Sequence, residues 1–191
     1  QSTYNKCNPL VVADPAVMRK VVKATGLSLE IHPVNSVADA RFQYGCIDVY
    51  DLKYTDLDKI EYGKVSAQAG DAAFQSIRTA IELAMNKEVD GTVTAPINKE
   101  ALNLAGHHFD GHTEIYAHFT GTKKYAMLLA DEFLRVIHVS THVHLREACD
   151  RVNKDRIIDV TQLIADVCNQ FGKWNLRLGI AGPNPQSSDN G

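Results

Sequence analysis

The chain has 191 residues, of which 45% are hydrophobic and 23% charged, and its formal net charge is −3. That length and balance suit a globular core, in one domain or in one large and one small lobe, and exclude a disordered chain. The slight acidic excess lacks the basic face of a nucleic-acid binder, and no apolar run approaches the roughly 20 residues needed to cross a bilayer.

The start, Gln1 to Asn8, is polar and does not read as a signal peptide. Pro9 to Ala13 is a short β-rich run, and Asp14-Pro15 then opens a helix. Asp14 can accept from an unpaired N–H of the first turn, and proline is tolerated at the first position because it has no N–H to leave unpaired. This helix carries Met18, Val21 and Val22 and ends near Gly26. Further strands are predicted at Leu29–Val34 and Ile47–Leu52, with a polar surface excursion between Asp51 and Lys64.

The longest helical signal runs from about Ser66 to Asn86, where Ala69, Ala73, Ile77, Ala80, Ile81 and Ala84 recur at helical spacing. Small residues on one face allow a neighbouring element to approach closely. Gly91–Ala95 reads as a buried strand, Asn98–Ala105 and Glu114–Phe119 as helices, and Tyr125–Ala130 and Leu134–Ser140 as strands. Asn153 caps a helix that ends near Gly172, and Leu176–Ala181 is a last strand. Strands alternating with helices predict an α/β fold with a largely parallel sheet flanked by helices, with ligands beyond the carboxyl ends of the strands.

Seven of the eight histidines lie between His107 and His144. Imidazole is a common metal ligand and a proton carrier near neutral pH, so the clustering raises the prospect of a site. His142 follows a strand end, with His144 two residues on, but two ligands are too few for a stable metal site. Gly111-His112-Thr113-Glu114 opens a helix, and unpaired N–H groups there suit a phosphate or carboxylate. A Thr113 helix cap beside a surface histidine explains the same residues equally well. Lys99 stands near another helix start, where its charge opposes the macrodipole and favours an anion-binding role over stability. The chain holds neither Gly-x-Gly-x-x-Gly nor a P-loop. Its four cysteines, Cys7, Cys46, Cys149 and Cys168, form no Cys-x-x-Cys pair, which fits reduced thiols in the cytoplasm.

Taken together, Thr94-Ala95-Pro96-Ile97-Asn98-Lys99-Glu100-Ala101, Gly111-His112-Thr113-Glu114, Ser140-Thr141-His142-Val143 and Gly179-Ile180-Ala181-Gly182-Pro183-Asn184-Pro185 resemble the 4-hydroxythreonine-4-phosphate dehydrogenase family. Gly106-His107-His108-Phe109-Asp110 is more similar to the branch acting on 4-phosphorylated threonate or erythronate. The resemblance implies a two-lobed fold like that of isocitrate and isopropylmalate dehydrogenases, in a homodimer with its site between subunits. It implies oxidation of a secondary alcohol by NAD with a divalent metal (zinc, magnesium or manganese), then loss of carbon dioxide from the β-keto acid. His112 and Thr113 would contact the phosphorylated hydroxy-acid substrate, with Lys99 as a further anion contact, and His142 would bind the metal. The metal would lower the pKa of a coordinated hydroxyl.

Three departures accompany the resemblance. The family's opening Gly-Asp-Pro-Ala-Gly-Ile-Gly is absent before Gln1, and its third histidine ligand and nucleotide-binding part lie beyond Gly191. The chain is therefore expected to be a fragment, mainly the substrate-binding, metal-binding and dimerisation part. The family's Asn-Pro-His-Ala-Gly-Glu reads Asn184-Pro185-Gln186-Ser187-Ser188-Asp189, so Gln186 stands where the second histidine ligand is expected. Its amide oxygen suits magnesium or manganese better than zinc. The same change allows a non-catalytic relative that binds a phosphorylated ligand without turnover.

Overall fold

The computed structural model describes residues 3–53, 60–172, 177–182 and 184, and divides the chain into two compact units, Gln1–Gly121 and Thr122–Gly191. In the first unit, β1 (Val11–Ala13), β2 (Glu30–Val34) and β3 (Cys46–Asp51) form a parallel sheet in the order β1-β3-β2. The register sets Val11 opposite Val49 and His32 opposite Asp48. Helix α1 (Pro15–Thr25) links β1 to β2 and packs on β2 and β3. Its ends are the predicted ones. Asp14 accepts from the Ala16 N–H at 2.7 Å, and Gly26 closes the helix at φ 67°, a left-handed conformation that costs glycine least.

Helix α2 (Ala67–Met85), capped by Ser66, packs on β1 and on the short helices α3 (Lys99–Leu104) and α4 (His112–Thr120). Phe74, Ile77 and Ile81 of α2 meet Leu102 of α3 and Ile115 of α4 in one buried cluster. Gly70 explains how closely α3 approaches. A Cβ built there would lie 2.0 Å from the Ala101 carbonyl oxygen, so only a residue without a side chain fits. Gly70, one turn before Phe74, thus lets α3 pack closely on α2 within the unit.

Two predicted strands are absent. Gly91–Ala95 has no ladder partner among the described residues, and Val93 is fully exposed. The predicted strand Leu176–Ala181 is likewise unformed over 177–181, Leu176 lying outside the described residues. β-branched and apolar composition favours a strand only where a neighbour supplies hydrogen bonds and a surface to pack on, and neither segment has one.

The second unit contains an antiparallel pair, β4 (Leu128–Ala130) and β5 (Arg135–Ile137), followed by α5 (Leu145–Arg151) and α6 (Lys154–Gln170). Both strands are shorter than their sequence signals, although the His138 N–H continues the ladder to the Met127 carbonyl at 3.1 Å. Asn153 caps α6, as expected, by accepting from the Arg156 N–H at 2.9 Å. Helix α5 was not foreseen. It buries no residue and has no side-chain cap, so it leaves little amphipathic pattern to read.

Candidate functional site

In the first unit the predicted substrate residues sit at helix starts. Asn98 caps α3 by accepting from the Ala101 N–H at 2.9 Å, which leaves Lys99 as an exposed cation at the first helical position. Ile97, just before the cap, packs against the buried cluster of α2, α3 and α4. Tyr116, one turn along α4 from His112, donates a hydrogen bond to the Thr92 hydroxyl at 2.7 Å. The segment leading to Lys99 and the helix opened by His112 are therefore fastened to one core and to each other.

Helix α4 begins without a side-chain cap, Gly111 being its N-cap. The Thr113 cap considered from sequence is not formed. Gly111 is fully extended at φ 170°, a conformation open to any residue, and an added Cβ would make only an ordinary contact with Glu114 at 3.5 Å. Gly111 is thus not needed to free the backbone. What it leaves is a helix N-terminus with no side chain occupying its first N–H groups. His112 is half-buried there, and its Nε2 is buried with no hydrogen-bond partner among the described residues. A buried ring nitrogen left unpaired costs roughly 1–3 kcal/mol. An acceptor or donor arriving from outside the chain would recover that cost.

The other histidines of this stretch in the first unit, His107, His108 and His118, have partners of their own. His107 pairs with Asp71 at 2.7 Å and stacks on Phe74 with ring centroids 3.7 Å apart. His108 lies 3.0 Å from the Asn103 side-chain oxygen, and His118 meets Phe109 and Phe119 edge-on. These are packing roles that the sequence does not distinguish from ligand roles.

In the second unit, His142 lies in the bend between β5 and α5, exposed, at φ 56°. A left-handed conformation is uncommon for a residue with a side chain and costs of order 1–3 kcal/mol. Arg156 braces the base of this bend: its guanidinium donates to the Val139 carbonyl at 2.9 Å and the Tyr125 carbonyl at 3.0 Å. His138 is half-buried with an unpartnered Nδ1, whereas His144 is exposed and caps nothing. Gln186 lies outside the described residues.

Sequence reasoning missed one cluster. His32 Nδ1 lies 2.7 Å from an Asp48 carboxylate oxygen, and the backbone N–H groups of Arg41 and Phe42 donate to the same carboxylate at 3.1 and 2.8 Å. Burial alone would raise the Asp48 carboxyl. The hydrogen bonds from His32, Arg41 and Phe42 outweigh it and hold the group below the usual carboxylate range. Cys46, two residues earlier on β3, is buried, and burial pushes its thiol up. The cluster spans two strands at a separation of 16 residues, so only strand register brings it together.

Residues 5–191 match the model of the family described as pyridoxal phosphate biosynthetic protein PdxA. The chain belongs to this family. Among PdxA relatives, a D-threonate 4-phosphate dehydrogenase of Salmonella typhimurium is 40% identical over 185 residues, which is 96% of this chain and 57% of that protein. A crystal structure titled as a 4-hydroxythreonine-4-phosphate dehydrogenase from Burkholderia phymatum is 36% identical with a TM-score of 0.83, covering 99% of this chain and 57% of that one. A Klebsiella pneumoniae 4-hydroxythreonine-4-phosphate dehydrogenase is 39% identical with a TM-score of 0.86, covering 95% and 55%. The chain thus spans little more than half the length of these PdxA relatives. Membership of PdxA agrees with the resemblance read from the motifs and with the α/β fold. Among the described residues no helix is long and apolar enough to cross a membrane.

Proposed function

We propose that this chain supplies the substrate-binding and metal-binding part of an NAD- and divalent-metal-dependent dehydrogenase. Its substrate is a 4-phosphorylated four-carbon hydroxy acid, such as 4-phospho-threonate, 4-phospho-erythronate or 4-hydroxythreonine 4-phosphate. The reaction moves a hydride from the secondary alcohol to NAD and then releases carbon dioxide from the resulting β-keto acid. The enzyme works as a homodimer in the cytoplasm, and the nucleotide site belongs to the length of the relatives that this chain does not span.

The observation that carries this reading is the unpartnered Nε2 of His112 at the open N-terminus of α4. His112 and Thr113 grip a polar or anionic group of the substrate, where N–H groups and the helix dipole favour negative charge. Lys99, exposed at the start of α3, adds a second positive contact. His142, exposed in the bend after β5, offers an imidazole nitrogen to the metal, and Gln186 offers an amide oxygen. When bound, the metal would supply Lewis acidity to the alcohol and to the carbonyl formed from it.

The test is His112→Asn in the full-length enzyme. A lost hydrogen bond to a charged group is worth about 1.5–3 kcal/mol, so kcat/KM should fall by roughly 10- to 150-fold. The melting temperature should hold, because the nitrogen has no partner to lose. Unchanged kinetics would remove His112 from the site. The replacement of a histidine by Gln186 favours a second reading, a non-catalytic relative that binds the phosphorylated ligand without turnover.

A further inference from the structure

We propose that His32, Cys46 and Asp48 form a binding site for one borderline-soft divalent cation, with zinc the best match. None of the three belongs to the motifs that carry the family resemblance, and the inference does not depend on the dehydrogenase reading.

The site follows from strand register. The parallel pairing of β2 and β3 sets His32 opposite Asp48, and Cys46 precedes Asp48 by two residues, on the same face of β3. A ring nitrogen, the sulfur and a carboxylate oxygen all lie within 4.8 Å of one another. A tetrahedral zinc with ligand bonds of about 2.0–2.3 Å needs donors roughly 3.4–3.8 Å apart. The three groups surround a zinc-sized centre once the 2.7 Å contact between His32 and Asp48 opens by less than an ångström and the sulfur closes any excess over that spacing, at most about 1 Å.

The supporting residues are already in place. The Asp48 carboxylate is aimed by the backbone N–H groups of Arg41 and Phe42. Phe42 delivers its N–H from a left-handed conformation at φ 50°, strain that the carboxylate contact offsets. Hydrogen bonds of this kind fix a ligand carboxylate and leave lone pairs for the metal. Cys46 and Asp48 are buried, while the His32 side chain keeps 21% of its surface exposed. That opening gives the ion a path and leaves room for water as a fourth ligand. A nitrogen, sulfur and oxygen set selects zinc or cobalt(II) over magnesium or calcium, which take oxygen donors.

Binding balances as a simple exchange. The Cys46 S–H bond gives way to a sulfur–metal bond and its proton leaves to solvent. His32 coordinates through Nδ1 as neutral imidazole: the proton Nδ1 shares with Asp48 passes by way of solvent to Nε2, or leaves to solvent from a doubly protonated ring, and the shared cation replaces the hydrogen bond.

The test is titration of the metal-free, full-length protein with cobalt(II). One equivalent should give a thiolate-to-cobalt charge-transfer band and tetrahedral d–d bands, which zinc then bleaches. Ligands drawn from His142 and Gln186 contain no sulfur, so the band should persist in His142→Ala and vanish in Cys46→Ser. His32→Gln should weaken cobalt binding by at least roughly tenfold. Absence of the band from the wild-type protein at saturating cobalt would overturn the proposal whatever the variants do. So would its persistence in Cys46→Ser, which would assign the sulfur to another cysteine.

Discussion

His112 and Asp48 illustrate two opposite uses of a polar side chain. Asp48 is almost wholly buried, yet three donors hold its charge; His112 keeps a buried nitrogen that nothing described in the chain satisfies. The first arrangement holds a charge within the fold, and the second leaves a nitrogen open to the proposed ligand. Because the Asp48 pKa is depressed in the folded state, its contribution is present above about pH 4 and is lost as the pH falls through and below that value. Asp48→Asn should therefore cost about 1.5–3 kcal/mol at neutral pH and flatten the acid side of the stability profile. Denaturant titrations between about pH 3 and pH 7 check this, and an unaltered acid limb would show that another carboxylate governs it. His142 is the converse case, exposed and unpartnered among the described residues. His142→Ala should abolish metal-stimulated turnover of the full-length enzyme while its circular dichroism and melting temperature stay put; retained stimulation would remove it from the ligand set.

At the scale of elements, helices α1 and α6 were legible because their ends carry chemistry, whereas α5, without a side-chain cap, was not. Asp14-Pro15 and Asn153 mark starts that the structure reproduces by side-chain caps, and Gly26 marks a stop by its left-handed backbone. Strands were legible only in part, since a strand is defined by its neighbour. Val11–Ala13 and Cys46–Asp51 find each other, whereas Gly91–Ala95 has the composition of a strand and no described partner. The histidine-rich stretch shows the same limit in the site. The motifs singled out His112, but the role of His107 stayed open until the fold set Asp71 and Phe74 against it. The closest helix contact yields a sharp prediction. Gly70→Ala would drive a Cβ into the Ala101 backbone, which has no rotamer to yield, so α3 must shift. Overpacking of this kind costs about 1–3 kcal/mol or more. Because α3 begins at Lys99, the variant should also raise KM in the full-length enzyme. Calorimetry with steady-state kinetics separates the two effects; a variant as stable as the parent would mean that α3 packs less tightly than described.

At the scale of the whole molecule, a PdxA-family fold accounts for the two compact units and for the α/β layout of the first. This chain corresponds to one stretch of the longer PdxA relatives. It carries His112, Thr113, Lys99 and His142, and spans about 57% of the Salmonella typhimurium relative. On the proposed function, catalysis would need the full-length protein, which would combine the proposed grip, metal and NAD. The most direct measurement is NADH formation by that protein with 4-phospho-threonate and 4-phospho-erythronate, with and without added zinc, magnesium or manganese. Metal-dependent NADH formation with at least one of the two acids, accompanied by release of carbon dioxide, is the predicted result. Measurable binding of both acids with no NADH under any metal would contradict it and leave a ligand-binding relative in its place.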